Sequence, residues 1–167
     1  MDAPLLLIDA SCAMLEAAIE DERRLGELLQ AQIAAEWAGF PDTLPALLEA
    51  RRRDPDGTWG TMLFLLDEPR TLIGMGGYKG EPDQHGVVEI GYAIAPDYQG
   101  RGLATRSARM LLQRAFADER VLAVEAQTLG RPSPSTRVLE KVGMQRVGES
   151  HDDELGAIWL FRIDRED

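Results

Sequence analysis

The strongest chemical signal in the sequence is a turn with two glycines, Gln99-Gly100-Arg101-Gly102-Leu103-Ala104. It follows an apolar, β-branched run, Val87–Ile94, which predicts a buried strand, and it leads directly into a helical pattern. Glycines let the backbone bend sharply, and the unpaired amides of a first helical turn attract anions with the helix dipole behind them. We therefore predict that this turn holds the pyrophosphate of a nucleotide-like cofactor.

Other uses of a glycine turn fit the spacing less well. A dinucleotide fingerprint, G-x-G-x-x-G/A, requires Gly or Ala as its sixth residue, where this chain has Thr105. A Walker A loop requires Gly-Lys-Ser/Thr, which is absent from the sequence. A tight turn without any ligand stays open as the structural alternative.

The turn also matches Q/R-x-x-G-x-G/A, the acetyl-CoA signature of the GNAT superfamily of N-acetyltransferases. Two further stretches, Glu89–Tyr92 and Arg137–Met144, resemble the branch that contains the ribosomal-protein N-terminal acetyltransferases. Matching features run from about Trp59 to Phe161. The resemblance is specific for the superfamily, but it does not identify an acceptor substrate.

The resemblance implies a GNAT-like mixed α/β (α+β) fold, in which a mostly antiparallel sheet contains a parallel, splayed central strand pair and carries flanking helices. It also implies acetyl-CoA as the acyl-donor cosubstrate, with its pantetheine arm between strands 88–94 and 121–126. We expect no metal, because His151 with nearby acids offers too few convergent ligands. Arg101 or Arg106 could add a charge contact to a phosphate, or face solvent. The residues that the resemblance assigns to the cofactor are Ile94, Ala95, Gln99, Gly100, Arg101, Gly102, Leu103 and Ala104.

Acetylation of an amine requires a neutral amine, a polarised thioester carbonyl and a proton for the thiolate. Glu89, on the strand before the turn, is our candidate general base acting through water, and Glu125 is a weaker alternative. Glu89 could equally be a polar residue on an accessible strand face. A main-chain N–H near Ile94 could stabilise the tetrahedral oxyanion.

The resemblance gives a second catalytic candidate, Ser135, which would orient or protonate the thiol. Its structural alternative is to cap the short helix that follows, and one serine could do both. The chain departs from the family pattern at Leu139, where many members have Tyr, and at Pro132, where Asn is usual. A cofactor hydrogen bond could be missing at Pro132, so an acyl-CoA-binding sensor or partner subunit without turnover remains the alternative function.

Hydrophobic periodicity predicts the elements around these residues. We expect Ser11 to cap a first helix, a second helical stripe to run from Leu25 to Trp37, and Thr43 to cap a helix that ends at Arg53. The later predicted helices follow the glycine turn and cover Ser135–Val142. The other predicted strands are Leu5–Ile8, Thr58–Leu66, Thr71–Tyr78, Val121–Ala126 parallel to Val87–Ile94, and a closing hairpin of Met144–Glu149 and Ala157–Ile163.

The whole chain has 167 residues and 44% hydrophobic residues, which predicts one domain over residues 1–167. Its net charge of −11 argues against nucleic acid or an anionic membrane as a partner and suits a cationic amine. The single Cys12 rules out an internal disulfide and fits a reducing compartment, so we expect a cytoplasmic protein. A homodimer is compatible with the sequence, which does not fix the oligomeric state.

Overall fold

The computed structural model describes residues 2–167, which form five α-helices and eight β-strands. The helices are α1 (Cys12–Glu20), α2 (Glu22–Leu29), α3 (Leu44–Arg53), α4 (Leu103–Phe116) and α5 (Pro134–Lys141). The strands are β1 (Leu5–Asp9), β2 (Gln32–Ile33), β3 (Thr61–Asp67), β4 (Arg70–Tyr78), β5 (Val87–Ile94), β6 (Ala123–Leu129), β7 (Gln145–Asp152) and β8 (Gly156–Asp164). Within residues 2–167, no helix combines the length and apolar character needed to cross a membrane.

The strands are hydrogen-bonded in the order β1-β3-β4-β5-β6-β8-β7, and the short β2 pairs with β4. The pairs β1–β3, β3–β4, β6–β8 and β7–β8 are antiparallel, whereas β5 and β6 are parallel. The 14-residue α4 provides the crossover that a parallel connection between β5 and β6 requires. The predicted fold class, a mostly antiparallel mixed sheet with a parallel central pair and flanking helices, is confirmed.

Residue contacts divide the chain into two units, one up to Gly77 together with Tyr92–Ser107, and the other comprising Tyr78–Gly91 and Ala108–Asp167. A single domain for the whole chain stays a prediction. In the first unit, α1, α2 and α3 bury apolar residues with β3 and β4 in one core, which includes Leu15, Leu25, Leu48, Leu63 and Leu72. Burial of this apolar surface stabilises the unit.

The first helix begins as predicted, because the Ser11 hydroxyl accepts a hydrogen bond from the Met14 N–H (3.1 Å). The helical stripe predicted from Leu25 to Trp37 is wrong beyond Leu29. Gln30 adopts a left-handed conformation with φ 51° and ends α2. The next residues form β2, and Trp37 is buried within a loop, so apolar spacing alone could not separate a helix from a strand and loop here.

Thr43 occupies the predicted N-cap position of α3, but not with the expected side-chain bond. Thr43 stands at the N-terminus of α3 but makes no side-chain cap bond. Its hydroxyl instead donates to the Phe40 carbonyl oxygen (2.7 Å), which tightens the preceding turn. A proline in the first turn starts α3 without such a cap, because its fixed φ is compatible with the helix.

In the second unit, the β5–β6 ladder comprises Val87–Ile90 against Ala123–Ala126. The Tyr78 hydroxyl donates to the Leu111 carbonyl of α4 (2.6 Å), which fixes the helix to the end of β4. At the start of β5, the Asp83 carboxylate accepts hydrogen bonds from Val87 and His85, and these bonds lower the pKa of Asp83.

Arg165 closes the C-terminal end of α4 in the second unit. Its guanidinium donates to the carbonyl oxygens of Phe116, Asp118 and Val121 at 2.7 to 2.9 Å. It also lies 5.4 Å from the centre of the Phe116 ring. The side chain therefore satisfies the Phe116 carbonyl at the helix end, binds two carbonyls of the turn that follows, and places a positive charge at the negative end of the helix dipole.

We predict that Arg165→Ala lowers the free energy of unfolding by about 1–2 kcal/mol, since part-buried carbonyls lose their donor. Urea denaturation measures the change. The matched control is Arg131→Ala, which removes an exposed arginine and should leave the midpoint unchanged. Equal midpoints for both variants would contradict a capping role for Arg165.

Candidate active site

The glycine turn begins where β5 ends, in the first unit. The Ala95 N–H donates to the Ile73 carbonyl oxygen of β4 (2.7 Å), which fixes the first residue after β5. Pro96–Tyr98 then form a short 3-10 turn, and α4 starts at Leu103. The predicted sequence of strand, glycine turn and helix is therefore present.

Gly100 and Gly102 both have left-handed backbones, with φ 75° and 76°. Residues that carry a side chain rarely adopt this backbone conformation, so the turn requires glycine at both positions. A Cβ built at either glycine has no other heavy atom within 4 Å. The turn is therefore open on the side where a ligand phosphate could approach the backbone.

The start of α4 supplies hydrogen-bond donors to this turn. The Arg106 N–H donates to the Gly102 carbonyl oxygen (3.0 Å), which is the first i to i−4 bond of the helix. The N–H groups of Leu103, Ala104 and Thr105 precede that bond and have no carbonyl to reach within the helix. Together with the helix dipole, these amides favour an anionic ligand.

Gln99 connects the turn back to the strand. Its side-chain amide donates to the Ile94 carbonyl oxygen (2.9 Å). Peptide groups alternate in direction along a strand, and the Ala95 N–H faces β4. The N–H of Ile94 therefore points away from β4. It lies on the same side as the Ile94 carbonyl, which accepts the hydrogen bond from Gln99.

The two arginines of the turn are engaged with protein groups. The Arg101 guanidinium donates to the Asp97 carbonyl oxygen (2.9 Å) and lies over the Tyr98 ring. The Arg106 guanidinium donates to the Ala3 carbonyl oxygen (3.0 Å) and holds the N-terminal segment. A phosphate contact from either arginine stays a prediction.

Glu89 and Glu125 belong to the second unit and are partners in the parallel ladder, so they share one face of the sheet. Glu89 is paired with Lys79, whose ammonium lies 2.6 Å from its carboxylate. Glu125 is paired with Arg162 at 3.1 Å. A hydrogen bond to Asp164 raises the pKa of Arg162. Each candidate base is therefore a half-buried carboxylate with its own cation.

Ser135 lies in the first turn of α5, and its predicted role as the N-cap is wrong. The cap is Ser133, whose hydroxyl accepts from the Thr136 N–H (3.2 Å), while the Thr136 hydroxyl accepts from the Ser133 N–H (2.9 Å). This reciprocal capping box leaves the Ser135 side chain unnecessary for starting the helix. The proline at position 132 precedes the cap and is exposed.

Sequence reasoning missed Lys79 as the partner of Glu89. The signal was available, because an antiparallel return from β4 to β5 through a short loop places residues 79 and 89 opposite each other. A surface depression in the second unit, between the 82–86 loop and Glu119, Arg120 and Leu122, contains no predicted site residue. In residues 2–167, no three His, Cys, Asp or Glu side chains are arranged to hold a metal ion.

Comparisons with known proteins show which family and which solved structures the chain resembles. The family model described as "Acetyltransferase (GNAT) domain" matches residues 11–145. The uncharacterized N-acetyltransferase YjdG of Bacillus subtilis is 25% identical over 134 residues, which are 78% of this chain and 79% of that protein. The ribosomal-protein-S5-alanine acetyltransferase of Vibrio fischeri has a TM-score of 0.66 at 18% identity, over 98% of this chain and 93% of its own. RimJ of Mycobacterium smegmatis, solved with CoA-disulfide, has a TM-score of 0.70 at 19% identity, over 96% of this chain and 81% of its own.

We predict that Gly100→Ala and Gly102→Ala each lower the free energy of unfolding by about 1 kcal/mol, because alanine is strained at these positive φ angles. Gly91→Ala is the matched control: its Cβ also meets open space, but on an ordinary β5 backbone. Chemical denaturation compares the three variants. If Gly91→Ala is as destabilising as the other two, the turn conformation is not what requires glycine.

Proposed function

Since the chain belongs to the GNAT family of acetyltransferases, we propose that it transfers the acetyl group of acetyl-CoA directly to a primary amine. The observation that carries this proposal is the open turn formed by Gly100 and Gly102 at the start of α4. The acceptor is a peptide N-terminus or a small-molecule amine. Acetyl-CoA supplies an activated thioester, and the overall reaction converts it and an ammonium ion into an amide, a free thiol and one proton.

In this proposal, the amides of Gly100, Gly102, Leu103 and Ala104 bind the pyrophosphate. The absence of side chains at the two glycines lets the phosphates approach the backbone closely. The pantetheine arm lies along Ile94 and Ala95, where β5 ends. Gln99 supports this arrangement, because its bond to the Ile94 carbonyl holds the strand end against the turn.

The Ile94 N–H is the proposed donor to the oxyanion. Its direction, away from β4, leaves it available to a ligand beside β5. A donor that is fixed before the reaction stabilises developing negative charge without reorganising. The acetyl carbonyl bound there becomes more electrophilic. The amine adds to it with a new N–C bond to give the tetrahedral oxyanion, whose collapse breaks the C–S bond and releases the thiolate.

Glu89 is the proposed general base. It would accept, through water, the proton that the ammonium must lose before it can attack. The neighbouring Lys79 holds one carboxylate oxygen and fixes the side chain. Glu125, its neighbour in the ladder, is the alternative base, although Arg162 holds it in the same way.

Ser135 is the proposed group that orients or protonates the leaving thiolate. The support is that Ser133 supplies the helix cap, so the Ser135 hydroxyl has no capping duty. The acidic chain, with a net charge of −11, attracts cationic acceptors. A protein with one cysteine and no internal disulfide suits the cytoplasm, where we propose that it acts.

The test is release of free thiol from acetyl-CoA with a panel of small amines and N-terminal peptides. We expect Ser135→Ala to lower kcat by about tenfold without changing stability, since proton transfer by a side chain contributes at least this much. Ser133→Ala is the matched control, and it should lower stability by about 1 kcal/mol through loss of the cap.

Two results would contradict the proposal. Acetyl-CoA binding without turnover on any acceptor would favour an acyl-CoA-binding sensor, for which Pro132 in place of the family Asn is the supporting observation. A Ser135→Ala variant with unchanged kcat would exclude Ser135 from the reaction while leaving the transferase in place.

A further inference from the structure

The segment Ala34–Phe40, which follows β2 in the first unit, starts beside the end of β5. The Ala34 N–H donates to the Leu72 carbonyl oxygen (3.0 Å), and the Ala95 N–H donates to the next carbonyl, that of Ile73 (2.7 Å). Adjacent carbonyls of a regular strand point in opposite directions. The segment and the end of β5 can share one edge of β4 only because the strand is irregular at this point.

That irregularity is a bulge in the β3–β4 ladder. Leu65 pairs with Leu72, whereas the preceding residue, Phe64, pairs with Gly74. Ile73 is therefore the extra residue of β4, and it turns its carbonyl toward Ala95. The bulge anchors the start of the segment next to the residue that follows Ile94.

A second anchor lies on the other side of Ile94. The backbone of Gly39 packs directly on Ala93, so that a side chain at position 39 would overlap the Ala93 methyl group. Trp37 and Ala38, between the two anchors, are buried in the core of the first unit. The segment is thus held against Leu72 at Ala34 and against Ala93 at Gly39, so that it passes close to the end of β5, where we propose that the acetyl carbonyl binds.

The segment exposes two residues that a purely structural loop does not need. Glu36 adopts a left-handed backbone with φ 56°, although it carries a side chain. Such strain persists where the surrounding structure imposes it, and it clusters at ligand sites. Phe40 is 68% exposed, the largest value among the exposed large apolar residues described. Glu36 and Asp42 lie in a stretch without Lys or Arg, Gln30–Ala50, whereas Glu49 in the same stretch is paired with Arg52 just beyond it (2.8 Å).

We propose that Glu36 and Phe40 select the acceptor, and that it is an alkyl amine with a second, non-reacting ammonium group. A carboxylate and an exposed aromatic face both attract ammonium ions, and a region without basic residues does not oppose them. The reacting nitrogen must be neutral at the acetyl carbonyl, whereas the second nitrogen keeps its charge beside the segment. This inference rests on the proposed function and adds the substrate class and the residues that recognise it.

The experiment compares 1,4-diaminobutane with 1-aminobutane as acceptors, since the two differ by one terminal ammonium. We expect wild-type kcat/KM to favour the diamine. Glu36→Gln and Phe40→Ala should each reduce that preference about threefold through KM, the size expected for exposed ion pairs and cation–π contacts. Phe40→Tyr keeps the aromatic face and should retain the preference.

Matched controls come from the same unit. Glu20→Gln removes another exposed carboxylate, and Leu28→Ala another exposed apolar side chain, on α1 and α2 and therefore outside Ala34–Phe40. Neither should change the preference. Thermal unfolding and acetyl-CoA titration on every variant verify that the fold and the donor site are intact.

The outcomes separate this inference from the proposed function. Normal turnover with an unchanged diamine preference in Glu36→Gln and Phe40→Ala overturns the inference alone. A wild-type enzyme that acetylates an N-terminal peptide but neither amine also overturns it, and leaves the acetyltransferase standing. If the wild-type protein does not bind acetyl-CoA, both proposals fail.

Discussion

The chain leaves β5 and enters α4 through two residues with left-handed backbones, Gly100 and Gly102. This constraint turns the first amides of α4 toward the strand end that it follows, and the Gln99 side chain closes the turn against Ile94. Residues with side chains would be strained at both positions, and they would also occupy the open side of the turn. Sequence, backbone conformation and anion-binding chemistry therefore agree at this one place, and the proposed roles of the neighbouring residues depend on it.

The charged residues have a different organisation. Lys79 beside Glu89 and Arg162 beside Glu125 give each carboxylate of the β5–β6 ladder a cation. The same-sign neighbours can therefore share one sheet face without a large repulsion. Around the end of β5, by contrast, the segment Ala34–Phe40 carries a carboxylate and an aromatic ring with no basic residue nearby in sequence. The protein thus supplies a cation to Glu89 and to Glu125, whereas none of the ion pairs among residues 2–167 involves Glu36.

Much of this could be predicted because local rules and tertiary structure agreed. The strand Val87–Ile94 was predicted with the bounds that the structure shows, since its apolar run is broken by a proline and glycines. The prediction failed where different secondary structures can bury the same apolar residues. Apolar spacing up to Trp37 suggested a helix, whereas the structure has β2 followed by a loop in which Trp37 is buried. Capping failed for a related reason, because Ser133 and Ser135 are both plausible caps in sequence. Only the partner Thr136 decides between them. The bulge at Ile73 depends on pairing between distant residues and has no local signal.

The central claim is that the Gln99–Ala104 turn binds the pyrophosphate of acetyl-CoA. Calorimetric titration of acetyl-CoA into the wild-type protein and into Gly102→Glu tests it most directly, with circular dichroism to verify that the variant is folded. The account predicts binding of one acetyl-CoA by the wild-type chain and none by the variant, because the added carboxylate fills the turn and repels phosphate. Absence of binding by the wild-type protein, or equal affinity of the folded variant, would contradict the account.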